Sequence, residues 1–177
     1  MLGEGGSHER NKGVGRMGDP KKQRKKYRNP KFPWSKSNLN AELRLLGKYG
    51  LRNKRELYRH RFMISKYRAL ARGLLAKPPE ERIVLEKQIL NKLAAIKIVT
   101  ENSDLDDILD LSIDNILERR LQTLVFNQGL SKSTQQARQL IVHGHITVKG
   151  NRVTAPSYIV KTDEEQEIRC TIPLSVE

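Results

Sequence analysis

The chain has 177 residues, 37% of them hydrophobic, and its 34 Lys and Arg against 20 Asp and Glu give a formal charge of +14. A charge of that size attracts polyanions such as nucleic acid, although membrane surfaces and acidic proteins attract it too. The single cysteine, Cys170, excludes an intramolecular disulfide and a cysteine-rich zinc site, so we predict no metal and no cofactor. No apolar run reaches the ~20 residues that span a bilayer, and an apolar signal segment is missing, so we expect a soluble cytoplasmic protein.

The positive charge is concentrated in the N-terminal part. Residues 1–80 hold 22 Lys and Arg against six Asp and Glu, whereas residues 81–177 hold 12 against 14. The first 28 residues have too few apolar side chains for a core, and we predict that residues 1–38 are a basic tail, largely extended or disordered. Alone, its basic run also fits a nuclear localisation signal or a solvated tail. The tail residues predicted to bind RNA are Lys21, Lys22, Arg24, Lys25, Lys26, Tyr27, Arg28, Lys31 and Trp34.

Two aromatic residues follow this basic run. Pro30 and Pro33 favour an extended backbone that presents Phe32 and Trp34. In one interpretation these rings pack on the surface of the folded domain. In the other, the segment threads through folded RNA and the rings stack on exposed bases.

Residues 39–114 are predicted to form a helical N-terminal domain. A first helix begins near Leu39, with Leu43 and Leu46 on the same face, and ends at Gly47 and Gly50. Residues 53–56 have the form of a capping box, which predicts a second helix with Leu57, Ile64, Ala71 and Leu75 on its core side. Its polar face is almost entirely cationic, which favours phosphate contact over plain solvation. The residues predicted to bind RNA here are Arg52, Lys54, Arg55, Arg59, Lys66, Arg68 and Arg72.

Two further helices complete this domain. Pro78 and Pro79, followed by Glu80, are typical of a helix start, and the mixed charges that follow indicate a structural element. The acidic stretch from Asp104 to Asp114 raises the possibility of catalytic carboxylates or a Mg²⁺ site. It has helical spacing and lacks a neighbouring Gly-rich loop or His, so we interpret it as a capped, solvated helix.

Residues 115–177 are predicted to form a small α+β domain, either inserted into the helical part or packed against it. A helix runs from Ser112 to Val125 with Arg119 and Arg120 off its apolar side, and a second capping box, residues 133–136, opens another helix that ends at Gly144. Strands follow at 146–148, 158–160 and 167–172, with a turn at Gly150-Asn151. The predicted fold class of the chain is therefore α+β: a basic tail, a helical domain, and two helices followed by a short bent sheet.

Polar side chains gather around the start of the last of these helices. A helix N-terminus offers free N–H groups and a positive dipole end, which together bind phosphate. Amide and guanidinium groups within two turns of it are suited to phosphate oxygens, 2′-hydroxyls and base edges. The residues expected to face RNA here are Arg119, Arg120, Ser131, Lys132, Ser133, Gln136, Arg138 and Gln139.

Several segments of this domain closely resemble the RNA-binding domain of the family of small-subunit ribosomal protein four, namely residues 118–123, 129–131, 136–141, 143–146 and 156–158. The resemblance covers 17–176, and upstream it is to the archaeal and eukaryotic branch, with the archaeal type favoured. The upstream segments are 25–27, 30, 33–34, 49–51, 53–57 and 68–72.

The resemblance implies a structural component of the small ribosomal subunit that binds its rRNA early in assembly, near a five-way helix junction. It also implies neighbouring ribosomal proteins and a place near the side where mRNA enters, with no membrane or small-molecule partner. The family's RNA contacts carry over to the residues already named around that helix and to His143. The predicted set is completed by Thr123, Lys149, Arg152 and Tyr158.

The chain departs from the family pattern in three places. Many bacterial relatives hold zinc with N-terminal cysteines, which this chain lacks. Lys149 occupies a hairpin position that often holds Asn. Lysine is less favourable than Asn in such a turn, but its charge is able to contact a phosphate. The segment Met17–Pro20 resembles the usual family start, so residues 1–16 are expected to be an upstream extension without a folded role.

Two alternatives to a ribosomal protein are an RNA-modifying enzyme and a biogenesis factor. An RNA-modifying enzyme that carries this unit as an accessory would need a catalytic domain of its own, and the rest of the chain has neither a cofactor glycine loop nor a nucleophile constellation. We therefore predict that the chain is not an enzyme. A biogenesis factor or RNA chaperone that binds precursor rRNA and then leaves is the closer alternative, and the matches at 25–34 and 49–57 favour the ribosomal protein over it.

Overall fold

The computed structural model describes residues 25–100 and 103–172, and it confirms the predicted α+β class. Lys21, Lys22, Arg24 and the expected extension 1–16 lie outside the described residues. Within the described ranges, no helix is long and apolar enough to cross a membrane. The elements are, in chain order, α1 (Lys36–Tyr49), α2 (Lys54–Leu75), α3 (Pro79–Ala94), α4 (Leu105–Asp110), α5 (Ile113–Glu118), α6 (Leu121–Asn127), α7 (Thr134–His143), β1 (Ile146–Val148), β2 (Asn151–Arg152), α8 (Thr162–Glu165) and β3 (Ile168–Cys170).

The start of α2 forms only half of the predicted capping box. The Asn53 side chain accepts a hydrogen bond from the backbone N–H of Glu56 at 3.1 Å, which satisfies one of the free N–H groups of the first turn. The Glu56 carboxylate was expected to turn back to the backbone of Asn53. It turns instead towards Arg120 and Arg138, far along the chain.

Helix α2 packs its apolar face against α4 and α5. Leu57, Ile64 and Ala71 are buried as predicted, but Leu75 is 41% exposed and Leu74 takes the core position in its place. Helical spacing alone would favour Leu75, which falls about five turns after Leu57. Leu74 is nevertheless the residue that packs in the apolar cluster with Ala71 and Leu93. On α1, Leu43 is exposed, which contradicts its expected place on the buried face.

The chain breaks the predicted continuous helix from Ser112 to Val125 into α5 and α6. Arg120 adopts an extended conformation (φ −72°, ψ 141°), and the N–H of Leu121 donates to the carbonyl oxygen of Tyr158 at 2.8 Å. A β-bridge joins Arg120 to Ile159, which is all that forms of the strand expected at 158–160. Pairing with a distant segment therefore replaces the helical hydrogen bonds at this point, and it directs the Arg120 side chain into the interior.

The last part of the chain forms a three-stranded antiparallel sheet in the order β2-β1-β3. Helix α7 ends where Gly144 adopts the left-handed conformation (φ 76°), as predicted. The hairpin turn consists of Lys149 (φ 51°) and Gly150 (φ 76°). Asn151, which was expected in the turn, pairs with Val148 and belongs to β2. β3 is shorter than the strand expected at 167–172.

Among the described residues, the buried apolar side chains form three clusters, and two of them combine residues of the helical part and of the sheet-containing part. One cluster lies between α6, α7 and the sheet, and a second lies between α2, α3, α4 and α5. Leu117 of α5 completes a third cluster with Tyr49, Leu51 and Leu57, while Ile159 packs against the second. The two parts therefore pack directly on each other through α5 and the segment that follows β2.

Candidate nucleic-acid interface

The turn before α7 is held by two side chains. Ser133 Oγ accepts from the N–H of Gln136 at 3.2 Å, and Gln136 Oε1 accepts from the N–H of Lys132 at 2.8 Å. The second bond differs from the predicted capping box, in which Gln136 would reach the N–H of Ser133. Lys132 and Ser133 are exposed, so this rigid turn presents a cation and a hydroxyl at the positive end of α7.

A groove runs between the α1–α2 connection and the outer side of α7. Its side chains offer guanidinium and amide groups and an imidazole, which together are able to bind phosphate oxygens and the edges of bases. The sequence predictions missed Gln135 and Val142, although the spacing 135, 138, 139 and 142 is the signal of one helix face. The groove is lined by Arg52, Gln135, Arg138, Gln139, Val142 and His143.

A second depression lies where α2 meets the segment 156–159. Arg59 of α2 and Arg138 of α7 both line it, so Arg138 belongs to this depression and to the groove on the outer side of α7. Arg138 therefore joins the exposed part of α2 to α7 in one continuous basic surface. We call this the α2–α7 surface, and it is lined by Arg52, Arg59, Gln135, Arg138, Gln139, His143 and Ser157.

The cations of α2 fall on two sides of the helix. Arg55, Arg59 and Lys66 are exposed, and their spacing of four and seven residues places them on one side. On the other side, Lys54 lies 3.2 Å from the buried Glu42, and Arg68 donates to the carbonyl oxygen of Leu111 at 2.7 Å.

The prediction of one uniformly free cationic face on α2 is therefore wrong, because cations on this second side make internal contacts. Lys54 and Arg68 hold α2 against α1 and the α4–α5 connection. Arg72 remains exposed, and it lines a cavity next to Arg68.

Four residues expected to face RNA are buried, so the expectation that they face outward is wrong. Arg119 donates to the Glu165 carboxylate at 3.0 Å and to the Val160 carbonyl oxygen at 3.3 Å. The hydroxyl groups are also used internally, because Thr123 donates to the carbonyl oxygen of Leu117 and Ser131 to that of Ser133. Buried polar groups need such partners, and these contacts keep all four from the surface. The four residues are Arg119, Arg120, Thr123 and Ser131.

A carboxylate from α2 pairs with two arginines of the C-terminal part. Glu56 Oε2 lies 2.7 Å from Arg120 Nη2, and Glu56 Oε1 lies 2.7 Å from Arg138 Nη2. Burial alone would raise the pKa of the Glu56 carboxyl group, but hydrogen bonds from Arg138 and Arg120 outweigh it and the pKa is lowered. The Glu56 side chain is therefore a carboxylate at neutral pH, shared between α7 and the α5–α6 connection.

His60 completes the environment of Arg120. Its Nε2 lies 2.9 Å from Arg120 Nη1, and because a guanidinium group only donates, Nε2 accepts and Nδ1 carries the proton. Burial and the positive charge of Arg120 lower the pKa of His60 to about 4. A neutral His60 is thus part of the folded arrangement. Burial lowers the pKa of Arg120 too, against the opposing effect of Glu56.

Gln122 links α1, α6 and α7 close to this ion network. Its Nε2 lies 2.9 Å from the carbonyl oxygens of both Gly50 and Thr134, and its Oε1 accepts from Arg138 Nη1 at 3.3 Å. Neither Gln122 nor His60 was among the predicted site residues. Both partner sets lie far away in sequence, so no local pattern reveals them.

The hairpin and the segment that follows it contribute unequally. Lys149 and Arg152 are exposed, and Arg152 Nη2 donates to the carbonyl oxygen of His143 at 2.9 Å. Tyr158 is half-buried, and its hydroxyl donates to the Glu164 carboxylate at 2.9 Å. Burial and this bond raise the pKa of the Tyr158 hydroxyl. Of these three predicted RNA ligands, Arg152 and Tyr158 both make internal hydrogen bonds, and Tyr158 is the one that is not exposed.

The described end of the tail leaves its aromatic and basic groups outside the core. Trp34 is 87% exposed and Phe32 is exposed as well, so the rings do not pack on the domain surface. Tyr27 differs, because the Arg55 guanidinium lies 5.5 Å from its ring centre and ties the tail to α2. The other predicted RNA ligands described here are exposed cations, namely Lys25, Lys26, Arg28 and Lys31.

Comparison with known proteins identifies the family to which the chain belongs. The family model described as the S4 domain matches residues 119–165, which include α6, α7 and the hairpin. Small ribosomal subunit protein uS4 of Saccharolobus islandicus (strain L.S.2.15) is 55% identical over 153 residues, which cover 86% of this chain and 84% of the relative. The chain belongs to the uS4 family. The uS4 protein of Saccharolobus solfataricus is also 55% identical over 86% of this chain, and that of Metallosphaera sedula is 52% identical over the same share.

Membership in the uS4 family confirms the resemblance found in the sequence, including its archaeal type. The uS4 relatives are ribosomal proteins and not enzymes, which confirms that prediction as well. Among residues 25–100 and 103–172, no three His, Cys, Asp or Glu side chains are grouped so that they would hold a metal ion.

Proposed function

We propose that this protein is a structural component of the small ribosomal subunit in the cytoplasm and that it binds the rRNA of the subunit through the α2–α7 surface. The observation that carries the proposal is the position of Arg138, which joins Arg52 and Arg59 in one basic surface. Family membership supports the ribosomal assignment. The exposed cations and amides of this surface match the groups that contact phosphates and unpaired bases.

The proposal extends to the position of the protein in the subunit. Binding early in assembly, at a junction of several RNA helices, fits a surface that combines residues of two separate helices, α2 and α7. The exposed Phe32 and Trp34 and the cations before them would let the tail run between RNA helices, with neighbouring ribosomal proteins beside it. The side of the subunit where mRNA enters is the proposed location.

The RNA surface is tested by paired substitutions on α2. Arg59→Gln removes a charge from the α2–α7 surface, whereas Arg61→Gln removes the same charge from the other side of the helix, where Arg61 lies 3.4 Å from Glu42. Fluorescence anisotropy with a small-subunit rRNA junction should show about tenfold weaker binding for the first variant, the effect of one charge-assisted contact, and little change for the second. Equal binding by both variants would remove the assigned surface.

A biogenesis factor that binds precursor rRNA is the alternative function. Sedimentation of the tagged protein through a sucrose gradient separates the two. A structural component persists in mature small subunits and in translating ribosomes. A protein confined to precursor particles would be the biogenesis factor instead.

A further inference from the structure

We infer that Glu56 is a positioning residue for RNA binding, and that this carboxylate strengthens the binding of a polyanion by holding Arg138 in place. The inference rests on the proposed function, since it concerns the α2–α7 surface. It assigns to Glu56 a role different from the helix cap that its sequence position suggests.

The geometry of the carboxylate supports this role. Each of its oxygens lies 2.7 Å from a different guanidinium group, so neither arginine is able to move without losing a charge-assisted bond. The Arg120 side chain is 0% exposed, while that of Arg138 is 21% exposed and lines both depressions of the surface. Glu56 therefore acts on RNA through Arg138, because the Arg120 side chain next to it is fully buried.

The second bond of Arg138 limits its freedom further. Its Nη1 lies 3.3 Å from both Glu56 Oε2 and Gln122 Oε1, in addition to the bond from Nη2. A long arginine side chain that is fixed before binding loses less conformational freedom when it meets a phosphate or a base. The Arg138 guanidinium keeps part of its surface exposed, and this part is already aimed when RNA arrives.

Simple electrostatics predicts the opposite effect of Glu56. A negative charge next to a basic surface repels phosphate, so its removal should strengthen RNA binding by about twofold at moderate salt. Positioning predicts that removal weakens the binding, because Arg138 loses its bidentate partner. The sign of the change in affinity therefore distinguishes the two effects.

The first test compares Glu56→Gln with Glu80→Gln in the full chain. Glu80 lies in the first turn of α3 and is exposed, so its substitution removes the same charge away from the surface. Anisotropy titrations with the rRNA junction should show about tenfold weaker binding for Glu56→Gln and unchanged or slightly tighter binding for Glu80→Gln. Unchanged or tighter binding by Glu56→Gln would overturn the inference.

A double-mutant cycle shows whether Glu56 acts through Arg138. In an Arg138→Gln background, Glu56→Gln should change the affinity by less than about twofold, because the side chain that it positions is gone. A loss in that background as large as in the wild type would mean a general loss of structure, and it would also overturn the inference.

Two further arms keep the test decisive. If Glu56→Gln does not fold, Glu56→Asp replaces it in the same cycle, since the shorter side chain keeps a carboxylate for Arg120 but does not span both arginines. Failure of the wild-type chain to bind rRNA would contradict the proposed function itself. Tight binding by the wild type with no loss in the Glu56 variants would contradict only the role of Glu56.

Discussion

Gly47 and Gly50 lie three residues apart at the end of α1, in different environments. Gly50 has φ 60°, and a Cβ atom placed on it would lie 2.6 Å from Thr134 Oγ1 and 2.9 Å from Gln122 Nε2. Gly47 is helical, and nothing lies within 4 Å of its added Cβ. Gly50 is thus required by both its backbone conformation and the close approach of α7. Gly47 only lowers the stability of the helix.

We expect opposite effects when each glycine is replaced by alanine. Gly50→Ala should lower the free energy of unfolding by about 2 kcal/mol or more, because strain in the left-handed region adds to the clash with α7. Gly47→Ala should raise it by about 1 kcal/mol through better helix propensity. Urea denaturation measures both. A destabilising Gly47→Ala would show that this position is packed against another element.

Lys149 is under strain of a similar kind in the hairpin turn. Its φ of 51° is unfavourable for a lysine and is readily adopted by Asn, so Lys149→Asn should stabilise the fold by about 0.5–1 kcal/mol. If Lys149 contacts phosphate, the same substitution weakens RNA binding. Lys149→Gln is the matched control, because it removes the charge without relieving the backbone. Denaturation and RNA titration of both variants separate the two roles, and equal RNA affinity for all three proteins would remove Lys149 from the binding set.

The elements differ in how well the sequence predicts them. The starts of α2 and α7 are predictable because Asn53 and Ser133 act within their own first turns. The break between α5 and α6 is not, because the partner of Arg120 lies nearly 40 residues further along the chain. Locally, residues 113–125 favour one helix, and only tertiary pairing interrupts it.

The candidate site shows the same division. Gln139 is exposed as the helical spacing of α7 suggests, so the polar side of this helix is readable from the sequence. Arg120 is predicted to face outward because it falls off the apolar side of the predicted helix, but the helix breaks at this residue and its side chain is buried against Glu56, 64 residues away. Positions of charged residues that pair across elements therefore remain beyond local patterns.

The contact between α2 and the α5–α6 connection predicts a pH-dependent stability. His60 has a pKa of about 4 when folded, against about 6.5 when unfolded, so folding favours its neutral form. This contribution is fully present above pH 6.5 and is lost as the pH falls towards 4, because the unfolded state takes up the proton first. The loss should reach about 3 kcal/mol at pH 4.

Denaturation between pH 7 and pH 4 measures this effect by comparison with His60→Gln. The Gln side chain keeps an acceptor for Arg120 but does not titrate, so the variant should lose about 3 kcal/mol less than the wild type over this range. The carboxylates contribute equally to both proteins. Parallel curves for the two proteins would show that His60 is charged or solvated in the folded state.

Across the whole molecule, the cations that pair with carboxylates lie apart from the cations that give the chain its net charge of +14. Lys77 and Arg82 pair with Glu81 and Glu86 at the start of α3. The buried Arg119 and Arg120 pair with Glu165 and Glu56. The tail and one side of α2 retain exposed cations in contrast. Long-range attraction to RNA should therefore come mainly from the N-terminal part, and specific polar contacts from α7.

This division predicts how RNA affinity depends on salt. If six or more phosphates are contacted, affinity for the rRNA junction should fall about 10³-fold between 50 and 200 mM salt, because each neutralised phosphate releases counterions. Lys26→Gln with Arg28→Gln should lower the slope of log affinity against log salt by about two. Lys77→Gln with Arg82→Gln removes the same formal charge from the pairs with Glu81 and Glu86, away from the α2–α7 surface, and should leave the slope nearly unchanged. Equal slopes for both double variants would mean that the net charge alone, and not its placement, draws the protein to RNA.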